Sequence, residues 1–281
     1  MARTESIPVP ATAAGRAGLA TLLAAPAEAL IAVDFDGTLA PIVPDPAQAR
    51  ALPAAVGALQ ALSRLVGTIA VVTGRPALKA VEYGSLDRVP GIVVLGNYGM
   101  QRWQDGELAA PPPPDGLSIA RQRLPAVLAR AAAPEGTWVE DKDDALAVHT
   151  RRTADPAAAL EAIRAPLLRL AAETALRVEP GRMVLELRPP GANKGIALEE
   201  LAGQRGASSV MYCGDDLGDR PAFAAVRRMR AAGRPGLAVL SGSAEVAELA
   251  GDADLVVDGP PGVAALLAAL ASELASDRTS G

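Results

Sequence analysis

Asp34 and Asp36 close the apolar run Ile31-Ala32-Val33 and are followed at once by Gly37 and Thr38. The run predicts a buried strand, and its abrupt end in two carboxylates, a glycine and a hydroxyl is a place where chemistry can be done. In an open parallel sheet, reacting groups gather just beyond the carboxyl ends of the strands. Gly37 lets the backbone bend there, so both carboxylates can converge on one centre. Two anions so close repel each other, which calls for a bound cation, a shared proton or both. A strand running into an Asp-rich turn explains one such pair without chemistry.

Three further strand or helix ends carry matching groups. Thr73-Gly74-Arg75 follows the apolar run Thr68 to Val72 and offers a hydroxyl and a flexible backbone to a phosphoryl oxygen, although a plain turn has the same form. Gly214-Asp215-Asp216-Leu217-Gly218-Asp219 packs three acids into five residues behind another apolar run. Such density beside a buried strand is costly unless a hard cation is bound; its bland counterpart is a solvated turn capping the next helix. Asn193-Lys194-Gly195, at a predicted helix start, supplies a cation that matters only in this company.

Together these groups fit phosphate-ester hydrolysis. Asp34 is expected to attack phosphorus and form an aspartyl-phosphate, which splits the reaction into two easier displacements. Asp36 is expected to protonate the leaving oxygen and then deprotonate water. Mg²⁺ is the expected cofactor, held by Asp34, the Asp36 carbonyl and Asp215. Asp219 joins these acids around the metal, and with Asp216 it is expected to hold water on the ion or the lysine. Thr73 and Lys194 are expected to position the phosphoryl oxygens.

The elements that must place these groups alternate as in a βαβ sheet. Strands are predicted at 31–33, 68–72, 92–95, 210–213, 237–240 and 255–257, with helices over 53–65, 76–83, 194–202, 220–230 and 262–274. Between them the order changes, with helices over 117–132 and 156–173 and paired strands at 138–140, 145–149, 176–179 and 183–187. The expected fold is α/β, a Rossmann-like core of 16–103 and 188–276 interrupted by an α+β cap over 104–187. Residues 1–15 read as a flexible arm before a helix over 16–29, the run Pro111 to Pro114 as punctuation, and Asp277 to Gly281 as a free tail.

Half of the 281 residues are hydrophobic and only 2% aromatic, so the core must be built from Ala, Val and Leu. A net charge of -5 argues against general attraction to nucleic acid or anionic membrane. No apolar run approaches the roughly 20 residues needed to span a bilayer. The single cysteine, Cys213, excludes an intrachain disulfide framework and fits a reducing cytoplasm. A few local cations can still bind a small phosphorylated substrate, which is the expected partner, without nucleic acid or membrane, and the expected state is a monomer.

At Asp34-Phe35-Asp36-Gly37-Thr38, Thr73, Lys194 and the Gly214–Asp219 loop the chain resembles the haloacid dehalogenase superfamily, whose phosphatases share this motif set and often carry a cap after the third core strand. The inserted region is similar to that of the trehalose-6-phosphate phosphatase family. Glu140-Asp141-Lys142 with His149-Thr150-Arg151 matches its E-x-K…H-x-R pair, and Glu186-Leu187-Arg188-Pro189 its acid-x-R-P stretch. The resemblance implies that Glu140, Lys142, Arg151 and Glu186 contact the disaccharide or its phosphate, and Arg75 is counted among the substrate contacts. Gly96-Asn97-Tyr98-Gly99-Met100-Gln101 departs from the family's G-x-H-G-x-E, and Gly218 and Arg220-Pro221 replace a threonine and an acidic pair. These departures leave open another glycosyl phosphate as substrate and, further off, a sugar phosphomutase. A phospho-accepting signalling domain lacks the second aspartate and the large insertion, and a silent partner of a synthase has no need of the acid set. His149 is expected to be a hydrogen-bonded structural residue, Cys213 core, Trp103 and Trp138 packing residues, and Arg227-Arg228-Met229-Arg230 a solvated helix end.

Overall fold

The computed structural model describes residues 6–112, 115–142, 145–181, 183–242 and 247–280. The chain divides into two compact units, Met1–Ala110 with Asn193–Gly281, and Pro111–Ala192.

The first unit contains α1 (Ala13–Ala24), β1 (Ala29–Val33), α2 (Pro53–Leu62), β2 (Thr68–Val72), α3 (Ala77–Gly84), β3 (Val93–Gly96), β4 (Gln101–Gln104) and β5 (Glu107–Ala109). The second contains α4 (Asp115–Arg130), β6 (Trp138–Asp141), β7 (Leu146–His149), α5 (Pro156–Glu173), β8 (Arg177–Gly181) and β9 (Val184–Arg188). The chain then returns to the first unit with α6 (Lys194–Gln204), β10 (Ser209–Gly214), α7 (Arg220–Ala231), β11 (Gly236–Gly242), β12 (Leu255–Asp258) and α8 (Gly259–Ser280).

The sheet of the first unit runs β12-β11-β10-β1-β2-β3-β4-β5. Its strands pair in parallel from β12 to β3, and β4 and β5 add antiparallel. Alternation divides the buried side chains between two helical layers. Ile31, Val33, Val71, Met211 and Val239 join the core that contains residues of α2 and α8. Leu30, Ala32, Ala70, Val72, Val210 and Tyr212 join the core made with α6 and α7. Both faces are therefore apolar, which is why β1, β2 and β10 read as unbroken hydrophobic runs. The strand order reverses about β1, so the crevice beyond the carboxyl ends of β1 and β10 is the topological switch point where such sheets bind ligands.

Several boundaries differ from expectation. The inserted unit begins at Pro111, not residue 104, because β4 and β5 extend the core sheet and Trp103 packs in its core. It ends at Ala192, past the expected 187. The leading helix starts at Ala13, and the described part of the expected arm is tied down. Ala11 N–H donates to the Asp254 carbonyl at 2.7 Å, and the Thr12 hydroxyl bonds the Asp254 carboxylate. Arg230, expected to be solvated, clamps the same carboxylate. Burial would raise the Asp254 carboxyl, but bonds from Arg230, Thr12 and the Ala238 N–H hold it below its ordinary range. The final helix continues to Ser280 where a free tail was expected. Residues 1–5, Pro113, Pro114 and Gly281 of the expected arm, punctuation and tail lie outside the described residues.

The inserted unit is an antiparallel sheet, β6-β7-β9-β8. Leu146, Val148, Leu185 and Leu187 pack one face against Leu117, Leu124, Ile163, Leu167 and Leu170 of α4 and α5. By the same alternation the opposite face carries Glu140, His149, Glu179, Glu186 and Arg188.

Candidate active site

Asp34 lies one residue past β1 and extends the ladder, its N–H donating to the Cys213 carbonyl at 2.8 Å. Its carboxylate is buried and receives Lys194 Nζ at 2.7 Å. Lys194 is the first residue of α6, and the Asn193 side chain caps that helix by accepting the Ile196 N–H at 2.9 Å. The same Nζ reaches Asp219 Oδ1 at 2.7 Å. Asp219 is fully buried and has its acceptors in use: Oδ1 also takes the Tyr212 hydroxyl at 2.5 Å, and Oδ2 takes the Asp215 and Asp216 N–H groups at 2.9 and 3.1 Å. The bond to the lysine is one of the two duties expected of Asp219. Asp216 caps the short turn after β10 through the Gly218 N–H.

Oxygen atoms of Asp34, Asp215 and Asp219 lie within 4.8 Å of one another. One ammonium thus faces three carboxylates. Burial raises Asp34 well above the usual carboxylate range, Lys194 pulls it down, and the charges of Asp219, Asp215 and Asp216 push it up again. Burial and the charges of Asp219 and Asp216 raise Asp215 to about 8. Lys194 stays cationic, since Asp219 and Asp34 outweigh the burial that would lower it. The three carboxyl groups cannot all be ionised beside one ammonium without cost, and Asp215 Oδ1 is buried with no hydrogen-bond partner. An orphaned carboxylate oxygen beside Asp34 fits a hard divalent cation.

Gly37 shapes this corner. Its φ is +75°, and a Cβ there would stand 2.0 Å from Asp215 Oδ2, so no other residue fits between the two acidic segments. The Gly37 carbonyl accepts the Ser241 hydroxyl at 2.6 Å, pinning the turn to the end of β11. Asp36 turns its carboxylate to Arg75, whose Nε and Nη2 donate at 2.6 and 2.7 Å. Arg75 also donates to the Pro46 carbonyl at 2.8 Å and lies over the rings of Phe35 and Tyr83. Arg75, expected as a substrate contact, is thus engaged with the second aspartate. The buried Thr73 accepts the Arg75 N–H at 3.1 Å, which leaves its hydroxyl proton to donate.

The segment after β3 crosses this turn. Asn97 and Tyr98 have φ of 47° and 60°, a left-handed pair that costs on the order of 1 kcal/mol or more per residue. Gln101, the other departure from the family pattern, accepts the Ala77 N–H at the start of α3 at 2.8 Å. Its amide oxygen satisfies that helix end without a charge.

The inserted unit gathers three of the four sugar-contact residues expected there. Lys142 donates to Glu186 at 2.7 Å, and Glu140 bonds His149 Nε2 at 2.9 Å. Glu186 is buried and its Oε1 has no hydrogen-bond partner. His149 stacks on Trp138 with ring centroids 4.0 Å apart, the structural part expected of it. Arg151 stands apart, exposed on the turn after β7. The sequence reading missed Tyr212, Ser241 and the Arg75–Asp36 fork. Tyr212 carried a signal, because a tyrosine inside a buried strand must find a partner for its hydroxyl.

The fold is that of the haloacid-dehalogenase-like hydrolases. The chain superposes on a haloacid dehalogenase-like hydrolase from Bacteroides thetaiotaomicron at 16% identity, with a TM-score of 0.58 over 85% of this chain and 98% of that one. The C-terminal domain of Candida albicans trehalose-6-phosphate phosphatase gives a TM-score of 0.74 at 21% identity, over 95% and 99%. Residues 32–261 match the family model described as trehalose-phosphatase, and the chain belongs to the trehalose-phosphatase family. A trehalose-phosphate phosphatase of Mycobacterium marinum is 33% identical over 259 residues, 86% of this chain and 61% of that protein. The chain spans between 15% and 61% of the length of the first curated relatives it matches. Among the described residues no helix is long and apolar enough to cross a membrane.

Proposed function

We propose that the chain hydrolyses trehalose 6-phosphate to trehalose and inorganic phosphate, acting in the cytoplasm as a monomer. The carrying observation is Lys194 pinned at 2.7 Å between Asp34 and Asp219, beside an Asp215 oxygen that has no partner. An Asp34 carboxylate oxygen attacks phosphorus, the bond to the sugar oxygen breaks, and the phosphoryl group passes to Asp34. Asp36, protonated once it is released from Arg75, gives its proton to the departing oxygen, then takes one from the water that attacks the aspartyl-phosphate, so phosphate leaves and both carboxyl groups are restored. Lys194 and the Thr73 hydroxyl steady the phosphoryl oxygens, and Arg75, freed from Asp36, turns to the substrate. Mg²⁺ at Asp34, Asp215 and the Asp36 carbonyl would neutralise phosphoryl charge so that an anionic nucleophile can approach. Asp219 serves this arrangement through Lys194. On the inserted unit Glu140, Lys142, Glu186 and Arg151 are assigned to the sugar, where Glu186 Oε1 supplies an open acceptor for a hydroxyl.

The test is phosphate release with Mg²⁺ from trehalose 6-phosphate, sucrose 6-phosphate, glucose 6-phosphate and glucosylglycerol phosphate. A clear preference for trehalose 6-phosphate is expected. Preference for another member moves the substrate, and isomerisation without phosphate release makes the protein a mutase.

A further inference from the structure

Ser241 is a buried hydroxyl near the carboxyl end of β11, outside every sequence motif of the site. In the sheet β11 lies beside β10 and β10 beside β1, so Ser241 and the turn after β1 flank the strand that delivers Asp215. Leu240 is level with Gly214, and one step further the parallel register brings Ser241 level with Asp215. The Ser241 hydroxyl crosses the end of β10 and donates to the Gly37 carbonyl at 2.6 Å. Its bond ties together the two strands on either side of the acidic loop.

The tie governs the fit between two acidic segments. Gly37 N–H donates to the Ala40 carbonyl at 2.7 Å and Ala40 N–H to the Phe35 carbonyl at 2.9 Å, so the turn closes on itself. Those bonds fix its shape but not its distance from β10. Past the rung from Asp34 to Cys213, Arg75 holds the Asp36 side chain from the β2 side, and Ser241 holds the backbone from the β11 side. Arg75 lets go of Asp36 in the proposed cycle, and the bond from Ser241 does not depend on it. The clash that a Cβ on Gly37 would make with Asp215 Oδ2 shows that this backbone rests against that carboxylate. The Asp36 carbonyl belongs to the peptide just before the one that Ser241 holds, and peptide planes are rigid. A shift of Gly37 therefore changes the spacing of the Asp34, Asp36 and Asp215 oxygens assigned to the cation.

We propose that Ser241 is a positioning residue of the metal site, its hydroxyl holding the Gly37 backbone against Asp215 so that the oxygens assigned to Mg²⁺ keep their spacing. The proposal rests on the Mg²⁺ reading above, and Ser241 itself touches neither ion nor substrate. Removing a group that orients metal ligands in this way lowers metal affinity by about tenfold or more.

The experiment reads Mg²⁺ in two ways, in wild type, Ser241→Ala and Ser241→Cys. One is the Mg²⁺ concentration at half-maximal rise in melting temperature of the metal-free protein. The other is the concentration that half-saturates phosphate release from an aryl phosphate. Ser241→Ala deletes the donor and is expected to raise both concentrations about tenfold, with kcat at saturating Mg²⁺ changed less. Ser241→Cys keeps the size and leaves a weak donor, so it is expected to fall between, and it carries the test if Ser241→Ala does not fold. A lower melting temperature with an unchanged Mg²⁺ requirement, in Ser241→Ala or in the cysteine variant standing in for it, overturns the proposal and leaves the bond as architecture alone. A wild type that Mg²⁺ neither stabilises nor activates overturns the metal reading, and the role of Ser241 with it. A wild type that responds to Mg²⁺ but cleaves no sugar phosphate overturns the substrate reading alone, and the comparison of the Ser241 variants still decides.

Discussion

Each unit holds a lysine–carboxylate pair at 2.7 Å, and the two pairs differ in everything around that distance. Lys194 and Asp34 are each 5% exposed, and the ammonium is shared with an Asp219 saturated by Tyr212 and two backbone N–H groups. Lys142 is 20% exposed and bonds Glu186, whose other oxygen is buried and unpaired. A buried, fully bonded pair cannot adapt without breaking its network, so it suits a reaction whose atoms must be fixed. A partly open pair with a spare acceptor can exchange partners with a ligand, which suits recognition. The contrast teaches that an equal distance is no guide to an equal role.

The sharpest way to break the comparison is Asp34→Asn. A neutral amide cannot attack phosphorus, so kcat should fall by about 10⁴-fold or more while the circular dichroism spectrum is retained. Near-normal turnover would remove Asp34 from the mechanism. Asp219→Asn comes next. It leaves Lys194 with a single carboxylate and cuts the charge that keeps the ammonium stable in the core. Activity should drop about 10²- to 10³-fold, with a stability loss of roughly 3–5 kcal/mol, as for breaking a buried pair. Full activity at unchanged melting temperature would mean that the lysine needs no holder.

The crowded carboxyl groups of the first unit give a third test. Asp215 titrates near 8 in the fold against 3.8 in the free side chain, so the folded state favours the protonated acid. Its contribution to stability is present below the lower value and is lost as pH rises through the upper one. Metal-free protein should therefore lose on the order of a few kcal/mol between about pH 4 and pH 8. Mg²⁺ should restore most of that at pH 8 and little at pH 4, as read from denaturant melts. A melt that is flat with pH and indifferent to Mg²⁺ would contradict the picture of uncompensated carboxylates.

The cluster of Asp34, Asp215 and Lys194 was legible in the sequence because each member sits at the end of an apolar run or at a capped helix start, and a run together with its terminator is local information. Gly37 was legible as a turn, but the reason for it was not, since the Asp215 oxygen that excludes a side chain comes from a strand 178 residues later. The same holds for Arg75 and Asp36, whose fork depends on β1 and β2 lying side by side, and for Tyr212, whose partner follows by seven residues but only across a turn. The unit boundary at Pro111 was missed because a short polar hairpin, β4 to β5, looks the same whether it joins the core sheet or the insertion. Hydrophobic period reports which face is buried, not which sheet a strand joins.

On the inserted unit the effects should be smaller and dependent on substrate. Glu186→Ala removes the unpaired acceptor and the bond from Lys142, so KM for the sugar phosphate should rise about tenfold or more while an aryl phosphate is affected less. Equal losses on both substrates would assign Glu186 to the architecture of the sheet.

His149 sharpens the comparison at its weakest point, because it is bonded to Glu140 and stacked on Trp138 in a half-exposed setting. His149→Phe keeps a flat ring against Trp138 and deletes only the bond to Glu140. Its stability should change by less than about 0.5 kcal/mol, as for an exposed pair, with KM for the sugar phosphate rising about threefold as Glu140 loses that bond. His149→Ala also deletes the stack and should cost about 1 kcal/mol more. The difference between the two variants in denaturant melts measures the stack, and their common shift in KM measures the bond. If His149→Phe abolished turnover of an aryl phosphate, the histidine would belong to the chemistry, and the division between a unit that reacts and a unit that reads would fail at that residue.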